Sequence, residues 1–213
     1  AHCVAYKPNL AFYECYGIDG MRALDATVDY IRSKYPEIFL IADAKRGDIG
    51  NTAKMYAKAF FEEMDFDAVT IAPYMGADSV TPFLEYKDKW AIVLALTSNA
   101  SAYQFQNAQK DGKPLYQAVM EEMMEISTPD NMMFVVGATK ADKLEELRSF
   151  CPDNFFLVPG VGAQGGSAEE VIAHGSNDHG GLLINSSRGI LYADHTEDFA
   201  KAAAIAAAQT ANL

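Results

Sequence analysis

The residues best equipped for chemistry lie in one short run, Asp43-Ala44-Lys45-Arg46-Gly47-Asp48, directly after the apolar segment Ile38 to Ala42. Asp43 and Lys45 are two apart, so on a strand they share a side. Gly47 lets the chain turn. That turn is expected to bring Asp48 back toward the pair, with Thr52 one helical turn further along. A lysine held between carboxylates keeps its proton, because an opposite charge within a few ångströms favours the charged form. Such a set can deliver a proton from Lys45 in front of an anionic wall. For an Asp-x-Lys in isolation, the simplest alternative is a solvent-facing ion pair at a strand end.

Further candidates fall at the ends of other apolar runs. Gly160, Gly162, Gly165 and Gly166 follow Phe155 to Val158 and would let backbone amides approach an anion, while Arg188 beside Gly189 supplies a forked cationic donor. Tight turns and surface ion pairing are the plainer uses of these residues. Lys7, Ser98, Pro159 and Gln164 hold comparable positions. The histidines (His2, His174, His179, His195) and the cysteines (Cys3, Cys15, Cys151) are dispersed, without the spacing of metal ligands. Asp43 is the best-placed carboxylate for a magnesium ion, and the neighbouring Lys45 weakens that use. No Gly-x-Gly-x-x-Gly follows the first strand, which argues against a dinucleotide site.

These candidates are carried by a regular alternation. Strands are expected at Ile38 to Ala42, Ala68 to Ala72, Trp90 to Leu96, Met132 to Val136, Phe155 to Val158 and Gly181 to Ile184, after an opening strand near Ala5. Helical spacing lies between them. One begins near Ala11 and ends by Gly17. The next runs through Met21, Leu24, Val28 and Ile31, with Asp19 as its expected cap, until Tyr35-Pro36 stops it. Asp78 or Ser79 is expected to cap the helix that carries Val80 and Phe83. Other helices span Leu115 to Glu125 and the alanine-rich Thr196 to Ala208, and the polar stretch Ala100 to Gly112 reads as an excursion or lid. Phe12, Tyr13, Phe60, Phe61 and Tyr74 read as helix faces packed on the sheet. The strand runs are apolar throughout, as in a parallel sheet covered by helices. Evenly spaced units with polar residues after nearly every strand favour a (β/α)8 barrel over an open doubly wound sheet. Seven strands leave one stave short, and the missing strand is expected before Ala1.

A chain of 213 residues, 50% hydrophobic, is expected to form a single barrel domain over residues 1–213. The formal charge of -12 argues against a general affinity for nucleic acid or anionic membrane. It leaves room for a small anionic ligand held by oriented amides and an arginine. Three scattered cysteines favour reduced thiols and a cytoplasmic setting. Neither a membrane span nor a secretory leader is indicated.

Asp43-Ala44-Lys45-Arg46-Gly47-Asp48-Ile49 resembles the Asp-x-Lys-x-x-Asp-Ile signature of orotidine 5'-monophosphate decarboxylases. Ala5-Tyr6-Lys7-Pro8-Asn9, Ala72-Pro73-Tyr74-Met75-Gly76, Leu96-Thr97-Ser98-Asn99, the run Val158 to Gly166 and Asn185-Ser186-Ser187-Arg188-Gly189 resemble the bacterial long-chain subgroup of that family. The resemblance implies a (β/α)8 TIM barrel acting as a homodimer without cofactor or metal, on orotidine 5'-phosphate. It implies that Lys7, Asp43, Lys45 and Asp48 form a catalytic network, with Asp48 and Thr52 serving the neighbouring subunit's site. Lys45 would protonate C6 of the pyrimidine, Asp43 would face the leaving carboxylate, and Lys7 would bridge ribose and Asp43. Ser98 would contact the pyrimidine and Gln164, Arg188 and Gly189 the phosphate, with Asn9, Pro159 and Gly165 as further substrate-binding residues. The family's first strand ends in an aspartate in a Gly-Leu-Asp type context, for which this sequence has no match; it is expected before Ala1. Magnesium-dependent sugar-phosphate decarboxylases and aldolases of the same superfamily also resemble the Asp-x-Lys-x-x-Asp pattern, and a catalytically silent phosphate-binding protein is the third reading.

Overall fold

The computed structural model describes residues 2–137, 141–160 and 167–211. In chain order the elements are β1 (Ala5–Tyr6), α1 (Ala11–Glu14), α2 (Gly17–Lys34), β2 (Phe39–Arg46), α3 (Gly50–Lys58) continuing into a π-helical turn (Ala59–Glu63), and β3 (Ala68–Ile71). They continue with α4 (Thr81–Leu84), β4 (Trp90–Leu96), a small hairpin of β5 (Gln109–Lys110) and β6 (Lys113–Pro114), α5 (Leu115–Glu125) and β7 (Met132–Val136). The last are α6 (Ala141–Phe150), β8 (Phe155–Pro159), α7 (Ala168–Gly175), β9 (Leu182–Asn185), α8 (Arg188–Leu191) and α9 (Phe199–Ala211).

Among the described residues, seven strands form one sheet in the order β1-β2-β3-β4-β7-β8-β9, with β1 and β9 at its two ends. The pairings β1–β2, β2–β3, β3–β4 and β8–β9 are parallel. Parallel neighbours require crossover connections, and the helices between successive strands supply them. Strand order and connection are those of a (β/α)8 barrel. The apolar runs are buried as a helix-covered parallel sheet requires: all of β3 and all of β7 are inaccessible to solvent or nearly so.

Contacts group the chain into two compact units: one of residues 4–94 and 117–133, the other of residues 1–3, 95–116 and 134–213. In the first, Leu24, Val28 and Ile31 of α2 are buried, as their helical spacing requires, and so are Leu40, Ile41, Phe60, Phe61 and Phe66. In the second, Phe134, Leu144, Leu147, Phe156, Val158 and Val171 are buried. Arg148 is also buried there. Its Nε donates to the carbonyl of Gly175 at 2.8 Å and its Nη2 to that of Gly181 at 2.9 Å. Nη1 lies 2.9, 3.0 and 2.8 Å from the carbonyls of Cys151, Pro152 and Asn154. The guanidinium stacks over Phe156, 4.0 Å from the ring centroid. Burial pushes the nearby Cys151 thiol up to about 11, against the opposing effect of Arg148.

Several local expectations change. Asp19 does not cap α2, whose first residue, Gly17, has φ +59°; Asp19 instead pairs with Arg22 at 3.0 Å in solvent. Neither Asp78 nor Ser79 caps α4: they lie in a 3-10 turn before it, and the Ser79 hydroxyl donates back to Gly76 O at 2.7 Å. Phe60 and Phe61 are buried as expected, but Phe12 and Tyr74 are exposed, Tyr74 at 92%. Phe60 and Phe61, in the π-helical turn that continues α3, therefore lie in the core, whereas Phe12 in α1 and Tyr74 in a 3-10 turn lie in solvent.

Candidate active site

β2 does not end at Ala42. It continues through the charged run to Arg46, by means of an irregularity: Ala42 pairs with Val69 and Arg46 with Ile71, so β2 advances four residues while β3 advances two. The extra length is taken up around Lys45, which adopts φ +48°. A non-glycine residue there costs about 1 kcal/mol or more relative to ordinary strand backbone. Asp43 and Lys45 do meet, but through this bulge and not through the regular alternation of a strand.

The meeting point is Asp43, which is 7% exposed. Lys7, at the end of β1, donates to Asp43 Oδ2 at 2.6 Å, and Lys45 Nζ bonds to Oδ1. The backbone fixes the same corner: Asp43 N donates to Pro8 O at 3.0 Å, and Leu10 N donates to Asp43 O at 3.3 Å. Asn9 forms a parallel bridge with Asp43, while its side chain accepts from Ala11 N at 3.1 Å and so closes the turn into α1. Burial opposes ionisation of Asp43, yet the Lys7 charge together with the hydrogen bonds from Lys45 and Lys7 outweighs it and holds the carboxyl below the usual aspartate range. With an ammonium group on each carboxylate oxygen, the geometry is that of a carboxylate between two lysines. It is not that of a magnesium ligand. Lys7 is 12% exposed and Lys45 49%, so Lys45 is the member that presents its ammonium group outward.

Thr70, in the middle of β3, was not among the sequence candidates. Its hydroxyl lies 3.2 Å from Asp43 Oδ1 and accepts from Lys45 N at 2.9 Å. Arg46 anchors the next step. It donates to Ala44 O at 2.9 Å, pairs with Glu14 of α1, and lies over the rings of Tyr56 and Phe60 at 5.5 and 5.6 Å.

Asp48 is not returned to this cluster. Its carboxylate accepts from Ile49 N at 2.8 Å and forms no ion pair with any described residue. Lys45 therefore faces one carboxylate of its own chain where the sequence suggested two. The reason is local: Arg46 O accepts from Ala72 N at 2.8 Å, so the chain stays on β3 past the bulge before it turns. Ile49 is the N-cap of α3, which puts Asp48 outside the helix and Thr52 on its exposed side.

The remaining candidates belong to the second unit. Ser98 follows β4 and is half-buried. A Cβ on Gly137, at the end of β7, would come within 2.8 Å of Ser98 N, so the absence of a side chain at Gly137 is what lets the two strand ends approach. The Ala100 to Gly112 excursion holds a 3-10 turn and β5, whose hairpin partner β6 follows it directly, and it is tied down by Gln106: its side chain accepts from Thr97 N and donates to Thr97 Oγ1, each at 2.8 Å. Pro159 pairs in register with Asn185, which places the ends of β8 and β9 side by side; Arg188 and Gly189 begin α8 three residues further on, exposed. Gln164 and Gly165 lie outside the described residues, as does the Gly162 to Gly166 loop expected as a lid.

Parallel strands joined by helices, with an ion cluster at the carboxyl ends of the first two, define an α/β-barrel protein with a charged strand-end site. The chain belongs to the orotidine 5'-phosphate decarboxylase / HUMPS family, whose profile matches residues 1–203. It is 57% identical over 202 residues to the orotidine 5'-phosphate decarboxylase of Christiangramia forsetii, covering 95% of this chain and 74% of that protein. It is 56% identical over 207 residues to that of Bacteroides fragilis, covering 97% and 76%. Among solved structures, Leishmania donovani OMP decarboxylase superposes with a TM-score of 0.84 at 38% identity, over 97% of this chain and 79% of that one. The chain thus spans about three quarters of the curated relatives it matches.

Proposed function

We propose that this chain decarboxylates orotidine 5'-phosphate to uridine 5'-phosphate in pyrimidine biosynthesis, and that the Lys7–Asp43–Lys45 cluster performs the chemistry. The observation that carries the residue assignment is this cluster, built from neighbouring strand ends in a chain whose curated relatives bear that name. The bond from C6 to the carboxylate breaks, its electron pair stays on C6 as a vinylic carbanion, and Lys45 gives that carbon a proton. A fixed ammonium group stabilises the developing negative charge before it delivers the proton. Asp43 has both oxygens occupied by cations, so it orients Lys45 and Lys7 and also faces the leaving carboxylate. Lys7 and Asn9 serve the ribose side and Ser98 the pyrimidine. Pro159, Gln164, Gly165, Arg188 and Gly189 hold the phosphate, whose binding energy supports closure over the site. No cofactor or metal is assigned a part.

We further assign the chain to a cytoplasmic homodimer with shared sites, each barrel being one domain. The support is that Asp48 forms no ion pair with any described residue and Thr52 is exposed. Ile49 and Met55, and Tyr74 and Met75 after β3, are also exposed apolar groups of the kind a subunit contact covers. Nucleic acid and membrane are not assigned as partners; among the described residues no helix is long and apolar enough to cross a membrane.

Mixing inactive subunits tests the sharing. If Asp43→Asn and Asp48→Asn are each inactive alone, a purified mixed dimer carries one site with both defects and one with neither. Its turnover of orotidine 5'-phosphate should recover to about half that of wild type. Mixed dimers with no activity would place both aspartates in the same chain's site.

A further inference from the structure

We infer that Thr70 is a positioning residue for the reaction: its single hydroxyl sets the backbone of Lys45 and the carboxylate of Asp43 at the same time. The inference rests on the functional reading above and extends it to a residue outside the charged run.

Three observations carry it. Thr70 is 1% exposed in a strand whose other members are Ala68, Val69 and Ile71. At such a position valine has the same shape without a buried polar group to satisfy, so a retained hydroxyl requires partners. The partners are specific. The shift of β2 against β3 after Ala42 leaves Lys45 N out of the regular ladder, and Thr70 Oγ1 accepts from it at 2.9 Å, standing in for a strand carbonyl. Having accepted there, the hydroxyl keeps its own hydrogen to donate. Asp43 Oδ1 lies nearer, at 3.2 Å, than Ala42 O at 3.5 Å. Asp43 Oδ1 is also the oxygen that binds Lys45 Nζ. One hydroxyl therefore touches both ends of the Asp43–Lys45 arrangement.

The third observation is the backbone of Lys45, at φ +48°. A non-glycine residue in this conformation is strained and keeps it only where neighbouring bonds hold it. Without the hydroxyl, the part-buried Lys45 N–H would face a methyl group in place of its acceptor, and the bulge would regain partners by moving. Movement of the bulge moves the ammonium group relative to C6. Misplacement of a reacting group by about 1 Å costs on the order of 100-fold in rate. Binding of phosphate and base, made by residues of other elements, would be unaffected.

The test compares Thr70→Val and Thr70→Ser with wild type in the intact protein, measuring kcat, KM and the affinity for uridine 5'-phosphate. Thr70→Val should lower kcat roughly 10- to 100-fold, as loss of a group supporting a catalytic residue does, with KM and nucleotide affinity within about threefold. Thr70→Ser, which keeps the hydroxyl, should return kcat to within about threefold of wild type. Thr70→Ala decides the matter if valine impairs folding. A Thr70→Val enzyme with wild-type kcat, or a serine variant as slow as the valine one, overturns the positioning role and leaves the functional reading intact. A wild-type protein that does not consume orotidine 5'-phosphate overturns the functional reading, and this inference with it.

Discussion

Lys45→Ala should lose turnover on the order of 10⁴-fold or more, while the affinity for uridine 5'-phosphate changes by less than about tenfold. The size follows from two losses at one atom. The ammonium group supplies the proton, an effect worth roughly 10²- to 10⁴-fold, and stabilises the carbanion that precedes transfer, worth a further 10²- to 10³-fold or so. Together these amount to about 5 kcal/mol or more of transition-state stabilisation. Binding is spared because the product has no charge at C6 for Lys45 to meet. Alanine also frees one oxygen of Asp43, which keeps Lys7 at 2.6 Å and the Thr70 hydroxyl at 3.2 Å, so the buried carboxylate retains partners and the fold should survive. Single-turnover kinetics beside calorimetric nucleotide binding makes the comparison. An equal fall in rate and affinity would make Lys45 a binding group.

The largest effect on stability is expected away from the chemistry, at Arg148. Its guanidinium binds the carbonyls of Cys151, Pro152, Asn154, Gly175 and Gly181, thereby joining the end of α6, the turn into β8, the end of α7 and the residue before β9. Burial disfavours the arginine's charge and so lowers its pKa, which makes the side chain costly to bury unless these bonds form. Arg148→Met fills similar space over Phe156 but leaves the carbonyls to share whatever water enters. A loss on the order of 4 kcal/mol is expected, from several buried acceptors each worth about 1–3 kcal/mol when unpaired. For a domain of this size it corresponds to a Tm lower by roughly 8–16 °C. Arg148→Lys should recover only part of it, since a single ammonium cannot reach acceptors spread around a planar fork. Thermal unfolding of the two variants checks this; a methionine variant within about 1 kcal/mol of wild type would mean that the carbonyls find other donors.

Much of this architecture was legible in the sequence for one reason: strands buried on both faces are written as unbroken apolar runs. Trp90–Leu96 and Met132–Val136 are found where those runs lie, and helical spacing marked Leu115–Glu125. What depends on register was hidden. The end of the apolar run at Ala42 suggested that β2 stopped before the charged run, whereas it passes through it with a bulge, and no local pattern distinguishes a turn from a bulged strand end. Thr70 was hidden for the same reason. A hydroxyl in Ala-Val-Thr-Ile reads as an ordinary β-former, and only the pairing of β2 with β3 puts it beside Asp43. Arg148 looks in the sequence like any charged residue on a helix, because the carbonyls it gathers come from turns and helix ends later in the chain. Asp48 shows the converse. Its type and spacing marked it as important, but the geometry within one chain leaves its carboxylate outside the cluster that the spacing suggested.

The charged run that stood out in the sequence is therefore divided. Asp43 and Lys45 join Lys7 in an arrangement centred on the buried Asp43 carboxylate and supported by β3, while Asp48 leaves that arrangement along the chain toward α3. The most direct measurement of what the arrangement does is the stoichiometry of carbon dioxide release from carboxyl-labelled orotidine 5'-phosphate by the wild-type protein in the presence of excess EDTA. One carbon dioxide per uridine 5'-phosphate formed, at a rate that added magnesium leaves unchanged, is the expected result. No release from that substrate, or magnesium-dependent consumption of a keto-acid sugar phosphate in its place, would contradict it.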